Sequence, residues 1–204
     1  MSTEISRRFS AEVEDSQPAE PTHQAESPRT TGEEVIRRLR PFEEAIARLV
    51  TIPGVGRRTG EVLLAEIGLE LARFPTPGHL AAWAGMAPGN RQSAGKRQSG
   101  KTRKGNPALR AALVEAGQAA GRTKDTYLAA QYHRLAARRG KERAAVAVGH
   151  TILIIVYHLL TRQTVYRDLG ARYFDERDRQ RVERRLVNRL EALGYKVALE
   201  PVAA

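Results

Sequence analysis

Arg48-Leu49-Val50-Thr51-Ile52-Pro53-Gly54-Val55-Gly56-Arg57-Arg58-Thr59-Gly60 reads as the end of one helix, a Gly-x-Gly turn and the start of a second helix. Two glycines let a backbone reverse sharply and approach a ligand with no Cβ in the way. The flanks agree with this reading. Phe42, Ile46, Leu49 and Val50 recur at helical spacing before the turn, and Val62, Leu63, Ile67 and Leu71 after it. Residues 42–72 therefore have the pattern of a helix-hairpin-helix element. In such an element the second helix aims its N-terminal amides, at the positive end of its dipole, toward whatever sits by the turn. Arg57 and Arg58 add two cations at the same place. A dinucleotide-binding turn fits poorly, because this one follows a helix and lacks the third glycine at the required spacing. An ordinary helix corner that touches no ligand is the plainer alternative.

Upstream, Thr31 and Glu34 form a capping box, and Val35, Ile36 and Leu39 begin an apolar face that Pro41 is expected to interrupt. Residues 1–30 differ from the rest: six acids, three arginines, Pro18, Pro21, Pro28 and few bulky apolar side chains predict a disordered tail. Downstream, the second helix is expected over 58–74, with Gly68 a weak point and Pro75 and Pro77 ending it. A short helix at 77–85 carries Leu80 and Trp83, the latter expected to pack in the core. Further helices are predicted at 107–121, 124–139, 141–163 and 176–193, then a short strand at 195–201. Residues 86–106, rich in Gly, Ser, Lys and Arg, read as a loop or a short hairpin. The predicted fold class is mostly α: a helical domain over 31–204 with a helix-hairpin-helix element and an irregular basic loop.

Composition narrows the functional classes. The 204 residues contain no cysteine, which excludes disulfides and thiolate metal sites and suits a reducing cytoplasm. No apolar leader opens the chain. The longest apolar run, 144–160, is interrupted by Gly149, His150, Thr151, Tyr157 and His158 and falls short of the ~20 residues a membrane span needs, so it predicts a core helix. Lys and Arg number 34 against 23 Asp and Glu, a net charge of +11, which points to a polyanionic partner.

The position of that charge is informative. Residues 71–114 contain no Asp or Glu but include Arg73, Arg91, Lys96, Arg97, Lys101, Arg103, Lys104 and Arg110. Seven of these eight cations fall in 91–110, among Gly, Ser, Thr and Asn that can also donate to phosphate oxygens. A solvated flexible loop is the competing explanation. Within the loop, Ser93 lies in Asn90-Arg91-Gln92-Ser93-Ala94-Gly95-Lys96-Arg97. Cations around a hydroxyl would lower its pKa and stabilise a pentacovalent phosphorus, so attack on a phosphodiester is chemically open. No histidine is near in sequence to act as base, a serine in such a loop is more often a phosphate donor, and Ser99 and Thr102 are comparable candidates.

Thr51-Ile52-Pro53-Gly54-Val55-Gly56, Phe74-Pro75, Leu80-Ala81-Ala82-Trp83-Ala84-Gly85-Met86-Ala87-Pro88-Gly89-Asn90, Ser93-Ala94-Gly95-Lys96, Gly100-Lys101-Thr102-Arg103-Lys104-Gly105-Asn106 and Leu109-Arg110 follow in an order and spacing that resembles a known family. It is the C-terminal domain of the insertion-sequence one-ten / one-sixteen / nine-oh-two transposases, and the resemblance covers roughly 35–200. It implies a DNA transposase or recombinase with a serine nucleophile, placed here on Ser93, with Arg91, Lys96 and Arg97 as phosphate clamps. It also implies DNA as partner, a structured guide RNA for some members, and residence in the cytoplasm with the nucleoid. A further expected partner is a second copy in a homo-oligomer, for which the long apolar helix is the candidate surface, or the missing N-terminal domain. Full members carry an N-terminal resolvase-like domain with acidic metal ligands. Nothing before Thr31 matches it, so no metal or other cofactor is assigned to this chain, and a truncated copy is expected. The alternative is a non-catalytic DNA- or RNA-binding remnant.

His150 and His158 lie eight apart on the apolar helix and read as core histidines rather than a metal pair. The alternation of Arg with Asp and Glu over 172–189 reads as a solvated helix face with internal ion pairs.

Overall fold

The computed structural model describes residues 32–200 except 90, 100, 101 and 103. The tail expected at 1–30, Thr31 of the capping box, Lys101 and Arg103 therefore lie outside the described residues. The order of elements is α1 Gly32–Leu49, α2 Arg57–Ile67, α3 Pro77–Trp83, β1 Arg91–Ser93, β2 Lys96–Ser99, α4 Pro107–Ala120, α5 Tyr127–Arg139, α6 Lys141–Arg162, α7 Tyr173–Arg177 and α8 Arg179–Glu191. The fold is mostly α, as the apolar periodicity predicts. The described residues divide between Ile36 and Arg37, and the account below concerns those from Arg37 onward.

The centre is the crossing of α4 and α6, and it depends on missing side chains. A Cβ on Gly117 would lie 2.4 Å from the Ala145 carbonyl oxygen, and one on Gly149 would lie 2.6 Å from that of Leu113. The two backbones touch, so the apolar side chains around them close into one core. Leu109, Leu113, Val148, Ile152 and Leu153 are fully buried there, with Leu80 from α3 and Met86. The run at 144–160 is thus the spine of the fold. Lys141–Arg162 is long and apolar enough to cross a membrane by length and composition alone, and half of that apolar window is buried in the fold.

Helix boundaries follow local chemistry. Asn106 and Thr126 cap α4 and α5, accepting from the backbone N–H of Leu109 and Ala129. Pro41, expected to break the first helix, lies inside α1. It removes one N–H, but its neighbours are exposed, so water can satisfy the freed carbonyl. The second helix stops at Ile67 rather than at 74. Gly68, at φ 80°, turns the chain out and donates to the Leu64 carbonyl at 2.8 Å. Residues 195–200 form no strand, since no neighbouring strand edge is offered to them.

Trp83 is 39 % exposed rather than a core residue. It tilts against Phe74 with ring centroids 5.3 Å apart, and the Arg73 guanidinium lies over both rings. At the far end, α7 is held through Tyr127, which stacks on Phe174 at 5.1 Å and meets Tyr173 edge-on at 5.2 Å. No residue of α7 or α8 is buried.

Candidate nucleic-acid interface

The two glycines of the turn do different jobs. Gly54 has φ 87°, and a Cβ there would meet the Ala116 oxygen at 2.4 Å and the Ala120 nitrogen at 2.5 Å. Its close approach is to the end of α4, with Ile52 and Val55 buried on either side. Gly56 has φ −87° and open space where a Cβ would be, and it starts α2 with no side-chain cap. The first intrahelical donor is Gly60, bonded to the Gly56 oxygen at 2.9 Å. The amides of Arg57, Arg58 and Thr59 therefore precede the helical ladder at an exposed end. Thr51 fastens the turn further, its hydroxyl donating to the Arg48 carbonyl at 2.6 Å and accepting from Tyr166 N–H at 3.0 Å.

The paired arginines separate in the same way. Arg57 bonds Glu43 at 2.7 Å and Glu61 at 3.0 Å, clasping α1 to α2. The hydrogen bond that Arg57 donates to Glu43, then the charge of that carboxylate, raise the guanidinium pKa. Arg58 is exposed and makes no ion pair with a described residue, so it is the cation available at the turn.

Of the loop and hairpin readings for 86–106, the hairpin is the one formed. β1 and β2 pair antiparallel with Ser93 opposite Lys96, and the two residues between them, Ala94 at φ 49° and Gly95 at φ 74°, make a type I′ turn. Ser93 and Lys96 are exposed cross-strand neighbours at the tip, so the hydroxyl has a cation beside it. Arg91 and Arg97 lie in the two strands, and Lys104 is exposed in the stem.

The stem is tied to the core. A Cβ on Gly105 would fall 2.4 Å from the Ala84 carbonyl and the Gly85 nitrogen, so the returning chain lies directly on that backbone. Arg110 donates to the Gly85 carbonyl at 2.8 Å and to the Thr102 hydroxyl at 2.9 Å. This guanidinium, expected on phosphate, is part-buried and holds the two legs of the stem together. The Asn106 amide donates to the Glu66 carboxylate at the end of α2. Arg73 is also occupied, donating to the Glu66 and Ile67 carbonyls at 3.0 and 2.8 Å. Sequence reading missed the roles of Asn106 and Glu66. Asn-Pro at a helix start was a visible signal for the first, while Glu66 had none.

Helix α2 therefore carries the turn at its first residue, Arg57, and braces the hairpin stem at Glu66, nine residues on. That separation along the helix is about 13 Å at ~1.5 Å per residue. Among the described residues no group of three His, Cys, Asp or Glu is arranged to hold a metal ion. His150 is half-buried with its pKa lowered by burial, and His158 meets the Tyr157 ring edge-on.

The turn and the hairpin both fall within the segment for which sequence comparison finds a family. Residues 46–133, which include both features, match the Transposase IS116/IS110/IS902 family. The chain is 32% identical over 143 residues to the transposase for insertion sequence element IS1111A of Coxiella burnetii, covering 66% of this chain and 38% of that protein. Over 45 residues, 22% of this chain and 11% of the relative, it is 49% identical to the insertion element IS110 uncharacterized 43.6 kDa protein of Streptomyces coelicolor. Residues 46–133 thus form a segment similar to the domain of IS110-type transposases, and the chain spans about two fifths of the length of the first of these relatives.

Proposed function

We propose that this chain engages DNA for insertion-sequence transposition, with Ser93 as the nucleophile on a phosphodiester. The observation that carries the proposal is the hairpin tip. An exposed Ser93 stands opposite Lys96 on a stem locked to the core by Gly105, Arg110 and Asn106. The Ser93 oxygen would bond to phosphorus as one bridging P–O bond breaks, the leaving oxygen taking a proton and the chain keeping a phosphoserine link. Lys96 would balance the charge that builds on the phosphoryl oxygens. The helix-hairpin-helix turn, with the free amides of α2 and Arg58, would hold the backbone at a second point without reading its sequence. A guide RNA, a second copy and the nucleoid remain the expected partners and location.

Covalent trapping tests this. A plasmid carrying the ends of the element that encodes the chain is incubated with it, and the denatured product is resolved for DNA-linked protein. Wild type is expected to give an adduct that peptide mass spectrometry places on Ser93, and Ser93→Ala is expected to give none while binding DNA as tightly. An adduct that persists in Ser93→Ala rules out this nucleophile. A wild type that binds but never forms an adduct supports a non-catalytic nucleic-acid-binding module instead.

A further inference from the structure

A groove of about 1400 Å³ runs between α5 on one side and α7 and α8 on the other. It shares no residue with the turn or the hairpin. On α8 the lining residues Arg181, Arg184, Arg185 and Asn188 fall at i, i+3, i+4 and i+7, so they form one stripe. These are the positions at which a helix packed on a neighbour ordinarily carries apolar side chains. Arg134 and Arg138, one turn apart on α5, line the same groove.

The groove's acids do not balance this charge. Asp175 is 3.6 Å from Arg134, and Asp178 is 3.3 Å from Arg177. The nearby Glu183 is 2.7 Å from Arg179. Arg138, Arg181, Arg184 and Arg185 are exposed, and none makes an ion pair with a described residue. The ion-paired solvated face expected over 172–189 is therefore only part of the picture. The groove itself collects cations on both walls, where they repel one another unless anions lie between them. Guanidinium is the group whose planar fork matches phosphate oxygens.

We propose that this groove is a second nucleic-acid site, taking the sugar-phosphate backbone of a strand between α5 and α8. Arg138 would contact it from one wall and Arg181, Arg184 and Arg185 from the other. Arginines on both walls suit a ligand that carries several phosphates in a row. The groove residues Arg134 and Arg138 and all of α7 and α8 lie outside residues 46–133, the segment that holds the turn and the hairpin.

The test neutralises the groove in the full chain with Arg138→Gln, Arg181→Gln, Arg184→Gln and Arg185→Gln. Binding of a fluorescent DNA duplex and of a structured RNA hairpin is then titrated at several salt concentrations. Loss of four phosphate contacts should lower the slope of log K against log salt by roughly 3 to 4 for the nucleic acid that uses the groove. Affinity at low salt should fall at least about tenfold, and replacement of the same four arginines by lysine should retain most of it. A loss for DNA alone, RNA alone or both names the source of the backbone. Amide exchange in the wild type supplies a readout independent of folding in the variants: residues 179–191 should gain protection when that nucleic acid is added. The proposal is overturned if slope and affinity are unchanged for both nucleic acids, or if 179–191 gain no protection.

Discussion

Gly149→Leu is expected to unfold the helical core, at a cost of about 4 kcal/mol or more. Even the first carbon of the new side chain would sit 2.6 Å from the Leu113 oxygen and 3.1 Å from the Met86 Cε. The Met86 side chain can shift, but the Leu113 oxygen belongs to the hydrogen-bonded ladder of α4 and cannot. Relief requires α4 and α6 to separate, which opens the core around Leu113, Val148 and Ile152 to water. Chemical denaturation followed by far-UV circular dichroism should show a transition moved far below that of the wild type, or no cooperative transition. Gly117→Leu meets the Ala145 oxygen from the other side and should behave alike. A Gly149→Leu chain as stable as wild type would mean that the helices do not cross in contact.

Gly54→Ala should cost roughly 3 kcal/mol, whereas Gly56→Ala should cost under about 1 kcal/mol. Both glycines belong to one Gly-x-Gly motif, yet only Gly54 has positive φ and only its Cβ would strike backbone, at Ala116 and Ala120. Alanine there must either strain the turn or push it off the end of α4. Alanine at 56 enters open space, so stability is nearly kept, but its methyl group stands at the mouth of α2. DNA affinity should therefore fall several-fold in Gly56→Ala without a matching loss of stability. Equal stability losses at the two positions would contradict the division of labour between them.

That division was not legible in the sequence, where the two glycines look equivalent. What periodicity does carry is the existence of the helices. Leu109, Leu113, Val148 and Ile152 repeat at helical spacing and all are core. Capping chemistry also carries through, since Asn106-Pro107 begins α4 where a first-turn proline belongs. Expectation failed where long-range context decided. Pro41 is accommodated because its turn faces water, and the chain leaves α2 at Gly68 six residues before the expected end. Among the site residues, Arg57, Arg58 and Arg110 all read as phosphate ligands from their neighbours in sequence. Glu61, four residues on, is a partner that helical spacing offers, but only the fold reveals Glu43 beside Arg57 and the Gly85 carbonyl beneath Arg110. Ser93 opposite Lys96 depends on a two-residue turn whose Ala-Gly pair is a weaker signal than Asn-Gly, so the segment reads as loop or hairpin without a decision between them.

The salt dependence of DNA binding by Arg58→Gln/Lys96→Gln/Lys104→Gln tests the central claim, that the turn and the hairpin meet phosphate. These three cations are exposed and make no ion pair with a described residue, so their removal should leave the core intact. A fluorescent duplex titrated at several salt concentrations should bind wild type with an affinity that falls steeply as salt rises. The triple variant should bind at least about tenfold more weakly at low salt, with the slope reduced by about 2.7 for three lost contacts. An unchanged affinity and slope in the triple variant would contradict the account.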